Sequence, residues 1–455
     1  VIAMAVTSVR TLNLVAPSAH EVGAMRITDT AGSSQGRSGA VSGLIGDSLR
    51  PGDVYSANTL STRPTTPGIR ASTTATRTST TRTTPAVSVP SADSTPPALE
   101  DVVAAHLDCR RHKRNTISAI AFEQRLSRNL YDLHQELISG RYRPGRSTCF
   151  VITRPRAREV WAADYCDRIV HHLLYNHIAK RFIASFVAGS CACIPGRGTL
   201  YAAKRLEGHV RSVTQNWSKP AYFLKCDLSN FFVSIKKDIV FMQLCEKVPP
   251  GWWRDLAHTI LFHDPRTDVD VRGRLDLVPP HKSLFNAPDD QGLPIGNLDS
   301  QFLANVHLNA LDQFVAHRLR CRYVRYVDDF VLLHESAAYL EEAYIQIQDF
   351  LPARLQLSVN PTKTVLQPVS HGIDFVGHVI RPWHRTLRPK TTNTAISRLR
   401  CLPAEVLFET GNSYLGLAGQ ASHGHADAVR IANTLRRRGH CIAGDLSKAY
   451  RRGAK

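Results

Sequence analysis

The chain has 455 residues, 43% of them hydrophobic, which leaves room for two or three domains with sizeable cores and for an enzyme of ordinary size. A formal charge of +19 and a pI near 9.7 favour a polyanionic partner, nucleic acid ahead of an acidic membrane surface, because Lys and Arg displace condensed counterions from phosphates. No run approaches the roughly 20 apolar residues of a bilayer span, and the first residues lack a charged-then-apolar signal pattern, so the chain is expected to be soluble and cytoplasmic, with no membrane partner.

Residues 61–98 contain 12 Thr, 6 Ser and 6 Pro, and residues 1–98 contain 8 Arg, no Lys and 5 acids. Such a stretch holds too few large apolar groups to offset the entropy of ordering its backbone, and 1–98 is expected to be a disordered extension. A nucleic-acid-binding tail, a transit-like leader and translated upstream sequence are the other readings.

Order is expected from 99 onward. Phe122, Leu126, Leu130, Leu133 and Leu137 recur at helical spacing before the loop Gly140–Gly145. Phe150-Val151-Ile152 leads into Arg154-Pro155-Arg156-Ala157-Arg158-Glu159-Val160, a basic hairpin, and a helix is predicted from Ala163 to about Phe186. Tyr222–Asp227 reads as a buried strand, Leu298–Leu319 as a helix, the residues around Asp328 as a hairpin, Tyr339–Leu351 as a helix and Leu355–Val359 as a strand. Ile373–Ile380 supplies half of another hairpin, and the last 75 or so residues read as helical without a strong strand. This order predicts an α+β fold in which helices pack on an antiparallel sheet.

Ten cysteines are scattered through the chain, and the close pair Cys191 and Cys193 lacks the second cluster of a zinc site. His171 and His172 are adjacent on a helix and point in different directions, so both are read as structural.

The chemistry concentrates in acids. Asp328 and Asp329 sit side by side in the apolar run Arg325-Tyr326-Val327-Asp328-Asp329-Phe330, and Asp227 ends the strand Tyr222–Cys226. Uncompensated carboxylates against buried strands are costly unless a cation binds, and magnesium prefers such hard oxygen donors together with substrate phosphates. A solvated hairpin turn is the plain alternative.

A strand-end Asp, a Pro-x-Gly turn before a helix and a Tyr-x-Asp-Asp hairpin, in that order, resemble the reverse transcriptases. The resemblance covers about 110–420 and is sharpest in Asp227–Phe232, Gln291–Gln301 and Tyr326–Asp329. It implies a right-hand polymerase with fingers over 99–219, a palm over 220–370 carrying a fingers insertion near 235–290, and a primer grip with a helical thumb over 371–455. It further implies two Mg²⁺ ions held by Asp227 and Asp328, with Asp329 completing the cluster, and an enzyme that copies template RNA onto a DNA primer from dNTPs. By the same resemblance Lys363 protonates departing pyrophosphate, Arg156 and Arg158 grip the triphosphate, and Phe232 lies beneath the nucleotide sugar and excludes a 2′-hydroxyl. Their plain alternatives are a surface lysine, a charged strand against template backbone together with Arg154, and a core aromatic; Phe231 is read as core, since neighbours on a strand face opposite sides. Phe375, Val376, Gly377 and His378 resemble the primer grip.

Many reverse transcriptases place Gln where this chain has Ile, in the turn Pro294-Ile295-Gly296. With Asn297-Leu298 and Ser300-Gln301 following, the turn is most similar to the reverse transcriptases of diversity-generating retroelements in the group II intron-like lineage. That implies errors concentrated at template adenines, a prokaryotic or phage origin and a small basic accessory protein. A reverse transcriptase of antiviral defence and a non-catalytic RNA-binding scaffold are the competing readings, the intact acids counting against the scaffold.

Overall fold

The computed structural model describes residues 93–451 except 112, 114, 115, 154, 155 and 382. The extension expected over 1–98 lies outside the described residues as far as 92, and so does Arg154. Its last six residues belong to the folded part. Asp93 is buried and accepts from Arg181 at 2.6 and 3.0 Å, and the Thr95 carbonyl accepts from Trp253 Nε1 at 3.1 Å.

Three helices open the fold: α1 (Leu99–Arg110), α2 (Ile117–Glu123) and α3 (Leu126–Ile138). On α3 the helically spaced Leu130, Leu133 and Leu137 are the buried residues. β1 (Ser147–Ile152) and β2 (Arg158–Ala162) form the basic hairpin, with Phe150 opposite Val160, and α4 (Tyr165–Ile183) and α5 (Thr199–Val213) follow. β3 (Tyr222–Asp227) leads through the single turn α6 (Phe231–Ser234) to α7 (Lys237–Cys245), α8 (Trp252–Phe262) and β4 (Val269–Arg272). β4 pairs in parallel with β1, giving a sheet ordered β2-β1-β4.

Next come α9 (Leu298–Gln313), which runs into a π-helical turn over Phe314–Arg318, then β5 (Arg322–Tyr326), β6 (Asp329–His334), α10 (Ala337–Leu355) and β7 (Val365–Pro368). The strands β5-β6-β3-β7 make an antiparallel sheet. Side chains alternate across it. Leu224, Cys226, Phe330 and Leu332 enter the large core with residues of α9 and α10, whereas Phe223, Val331 and Leu333 enter a second core with Ala202, Leu206 and Val210 of α5.

The strand expected at Leu355–Val359 is absent. α10 continues to Leu355, Gln356 ends it at φ 52°, and Val359 makes only an isolated bridge to Leu228. The period of two arises because Leu355, Leu357 and Val359 are buried from an irregular segment. The strand that lines the sheet edge is instead β7.

β8 (Ile373–Phe375), β9 (His378–Arg381) and β10 (His384–Leu387) form a small antiparallel sheet. α11 (Pro389–Cys401), α12 (Ala404–Gln420) and α13 (His425–Arg437) build a helical lobe around Leu399, Leu407, Leu415, Ile431 and Leu435. The expected lack of strands near the end therefore fails at β10 and at the short pair β11 (Cys441–Ile442) and β12 (Ala449–Tyr450). The architecture is α+β, with a four-stranded antiparallel sheet, a three-stranded sheet around β1 and a C-terminal helical lobe. All ten cysteines are free, and no described helix is long and apolar enough to cross a membrane.

Candidate active site

Strand register brings the acids together. Asp227 at the end of β3 lies directly opposite Asp329 at the start of β6, and Asp328 is the second of two residues turning β5 into β6. Opposed residues on antiparallel strands hold their Cβ atoms about 5 Å apart, so charge repulsion is strong. Burial first, then Asp329 and Asp227, push the Asp328 carboxyl up to about 7, and burial raises Asp329 as well. Lys363 Nζ donates to Asp227 Oδ1 at 2.5 Å, placing one ammonium among the three acids.

Among the described residues no group of three or more His, Cys, Asp or Glu side chains is placed to hold a metal ion. The donor chemistry nevertheless fits a hard divalent cation. The acids are oxygen donors that destabilise one another until positive charge arrives, and a cation that also takes phosphate and water needs no all-protein shell.

The turn beneath Asp328 is strained and clamped. Val327, first of the two turn residues, has φ 60°, a conformation that a β-branched side chain disfavours and that hairpins commonly give to Gly. Arg325 Nη1 donates to the Val327 carbonyl at 2.9 Å. Arg325 is fully buried and bidentate to Asp312 on α9 at 2.7 and 2.6 Å, with further bonds to Asn305 at 3.1 Å and Ser190 at 2.9 Å. A rigid ionic network thus fixes the backbone that carries the second acid.

Cations face the acids. Burial holds Arg158 below the usual arginine range while Asp328 opposes that shift, and the field of Lys363, Arg156 and Arg158 adds to burial in lowering Lys282. Lys282 lies in a 3₁₀ turn, Pro280–Lys282, inside a segment with no periodicity to flag it, and sequence reasoning missed it. Arg325 was missed because its partner, Asp312, lies on a different element.

Pro294-Ile295-Gly296 leans on β2: Trp161 N donates to the Ile295 carbonyl at 2.7 Å, and a Cβ on Gly296 would meet the Trp161 carbonyl at 2.4 Å. Phe231 and Phe232 sit on the helical turn α6 rather than on a strand, which corrects the opposite-face argument; Phe231 is buried and Phe232 half-buried. The Phe232 carbonyl accepts from Leu293 N at 2.8 Å and so ties the two motifs together. Phe375, Val376, Gly377 and His378 are all buried in the β8–β9 turn, where Arg388 N donates to the Gly377 carbonyl at 3.1 Å. The side chains of Phe375, Val376 and His378 are core. The hairpin lies beside β3, since Lys225 Nζ donates to the Asp374 carbonyl at 2.9 Å.

A reverse transcriptase (RNA-dependent DNA polymerase) family model matches residues 161–380. The chain is 22% identical over 297 residues to Protein YkfC of Escherichia coli (strain K12), a match covering 58% of this chain and 74% of that protein. It is similar to a solved telomerase from Candida albicans with a fragment of telomeric RNA, at TM-score 0.40 and 12% identity, over 65% of this chain and 55% of that one. A second similarity is to apo telomerase from Candida tropicalis, at TM-score 0.37 and 12% identity, over 53% of this chain and 55% of that one. The chain thus spans just over half the length of these telomerase chains. The three acids that strand register and the adjoining turn bring together, Asp227, Asp328 and Asp329, all lie within the residues that the reverse transcriptase family model matches.

Proposed function

We propose that this chain is an RNA-directed DNA polymerase that extends a DNA primer on template RNA, with fingers, palm and thumb bounded as the sequence reading placed them. The observation that carries it is the register of Asp227 against Asp329 with Asp328 in the adjoining turn. Asp227 and Asp328, beside Asp329, would hold divalent magnesium. When bound, the metal supplies Lewis-acid polarisation of the attacking hydroxyl and of the phosphates.

The chain's own residues do the rest. Arg158, Arg156 and Lys282 present positive charge before the acids and suit the triphosphate of a dNTP. Lys363, within hydrogen-bond reach of Asp227, is placed to give a proton to departing pyrophosphate. Phe232 limits space beneath the nucleotide sugar, and Phe232→Ala is expected to admit ribonucleotides, read as a fall in the dNTP to NTP selectivity ratio of at least about ten-fold. Primer extension on RNA with dNTPs and Mg²⁺ tests the main reading; no incorporation by the purified full chain would sink it.

The finer reading is a diversity-generating enzyme with errors at adenines, served by a small basic accessory protein. Ile295 supports it, since its side chain offers no hydrogen bond where the turn meets β2 and the nascent pair. One such bond is worth about 0.5–1.5 kcal/mol, several-fold in discrimination. Ile295→Gln is expected to lower misincorporation opposite template adenine; an unchanged error spectrum would show that Ile295 is not the source of the errors.

A further inference from the structure

The face of the palm sheet that bears Asp227 and Asp329 also carries a pair of tryptophans, at its opposite end. Trp383, in the turn between β9 and β10, is 66% exposed, the most exposed aromatic side chain among the described residues. Trp217, in the loop between α5 and β3, lies with its ring centroid 5.5 Å away and packs on the same core as Phe223 and Val331. Its Nε1 is buried without a partner. β3 carries the chain from this loop to Asp227, its last residue, a distance of roughly 17 Å from Tyr222 along the strand.

The backbone holds both rings in conformations that bulky residues avoid. Gln215, Asn216 and Trp217 have φ 47°, 57° and 72° in succession, and Trp383 has φ 72°. Thr214 Oγ1 accepts from Trp217 N at 3.0 Å, and the Arg211 carbonyl accepts from Asn216 N at 2.8 Å, which fixes the turn. Strain of this kind persists where a side chain must be held in a set place.

Charge identifies the ligand class. Arg211 and Lys219 flank Trp217, Arg322 Nε donates to Ser212 at 3.2 Å, and Arg381 pairs with His384 across the turn that bears Trp383. Among the described residues none of these four cations is in an ion pair, whereas Arg385 two positions past Trp383 is bound by Glu207. No Asp or Glu occurs from Gly208 to Cys226 or from Phe375 to Ala404. Aromatic faces among unneutralised cations suit unpaired bases and their phosphates, and two segments without acids of their own favour a polyanion.

We infer that Trp383 and Trp217 form a stacking platform for the single-stranded extension of the template whose paired end lies at Asp227. The inference rests on the polymerase reading. The full chain is titrated with labelled RNA/DNA hybrids carrying unpaired template of about two or about twenty nucleotides, because only the longer one spans the distance. Trp383→Ala is expected to raise Kd for the long extension about ten-fold, the contribution of a stacked base, and to leave the short one unchanged, with Trp383→Tyr restoring the difference. Arg381→Ala with Lys219→Ala, which spares both rings, is expected to flatten the salt dependence on the long substrate alone. Equal affinities of wild type and Trp383→Ala for the long extension, equal losses on both substrates, or no rescue by Tyr would overturn the platform. Primer extension run in parallel separates the two ideas: incorporation with length-independent binding removes only the platform, and absent incorporation with length-dependent binding removes only the polymerase.

Discussion

Asp328→Asn abolishes dNTP incorporation, by on the order of 10³-fold or more, and at the same time stabilises the cation-free protein. The first effect is measured by primer extension at saturating Mg²⁺, the second by denaturant unfolding in chelator. Both follow from one fact: the Asp328 carboxyl is pushed up to about 7 by burial, Asp329 and Asp227, so its ionised form is disfavoured in the folded state. A group whose folded pKa stands above its unfolded value of 3.8 helps stability most below pH 3.8, and that help is lost as pH rises through about 7. The gain from Asp328→Asn is therefore expected to be absent near pH 4 and complete above pH 7. Its size is on the order of 1–2 kcal/mol, since water reaches the partly buried side chain and screens it. Divalent cation added to the wild type closes the gap by supplying the missing positive charge. A variant no more stable than wild type at pH 8 in chelator would contradict the electrostatic account of the cluster.

Arg325→Met has the larger effect on folding. The substitution keeps much of the side-chain volume but leaves Asp312, fully buried, without its cation, and removes donors to Asn305, Ser190 and the Val327 carbonyl. Breaking a buried pair from one side costs about 3–5 kcal/mol, seen as a lower unfolding midpoint. Replacing both partners, Arg325→Met with Asp312→Leu, is expected to recover most of that stability. It does not recover activity, because the Val327 carbonyl still lacks its clamp and the turn bearing Asp328 is free to relax. Recovery of full incorporation in the double variant would show that the network serves packing alone.

The acids were legible in the sequence because few folds tolerate adjacent carboxylates in an apolar hairpin, and their strand positions followed from periodicity of two. Arg325 and Lys282 were not. The sequence shows several arginines around the hairpin, and only the approach of α9 makes one of them the buried partner of Asp312. Lys282 gains meaning from an irregular segment folding back toward Lys363. The Phe375–His378 hairpin was legible as a pattern, but the burial of Phe375 and Val376 was not, because the second core that receives them is assembled from β3, β6 and α5. Local chemistry could be read directly, whereas burial set by distant elements could not.

The parallel pairing of β4 with β1 interlocks two lobes during synthesis. One edge of β1 remains uncovered until the ribosome has released β2, α4, α5, β3 and the three helices α6, α7 and α8 that precede β4. A nascent or truncated N-terminal lobe therefore presents a bare strand edge available to other chains. Fragments ending before β4 are expected to aggregate, and shuffling this lobe between relatives requires carrying two separate stretches of gene.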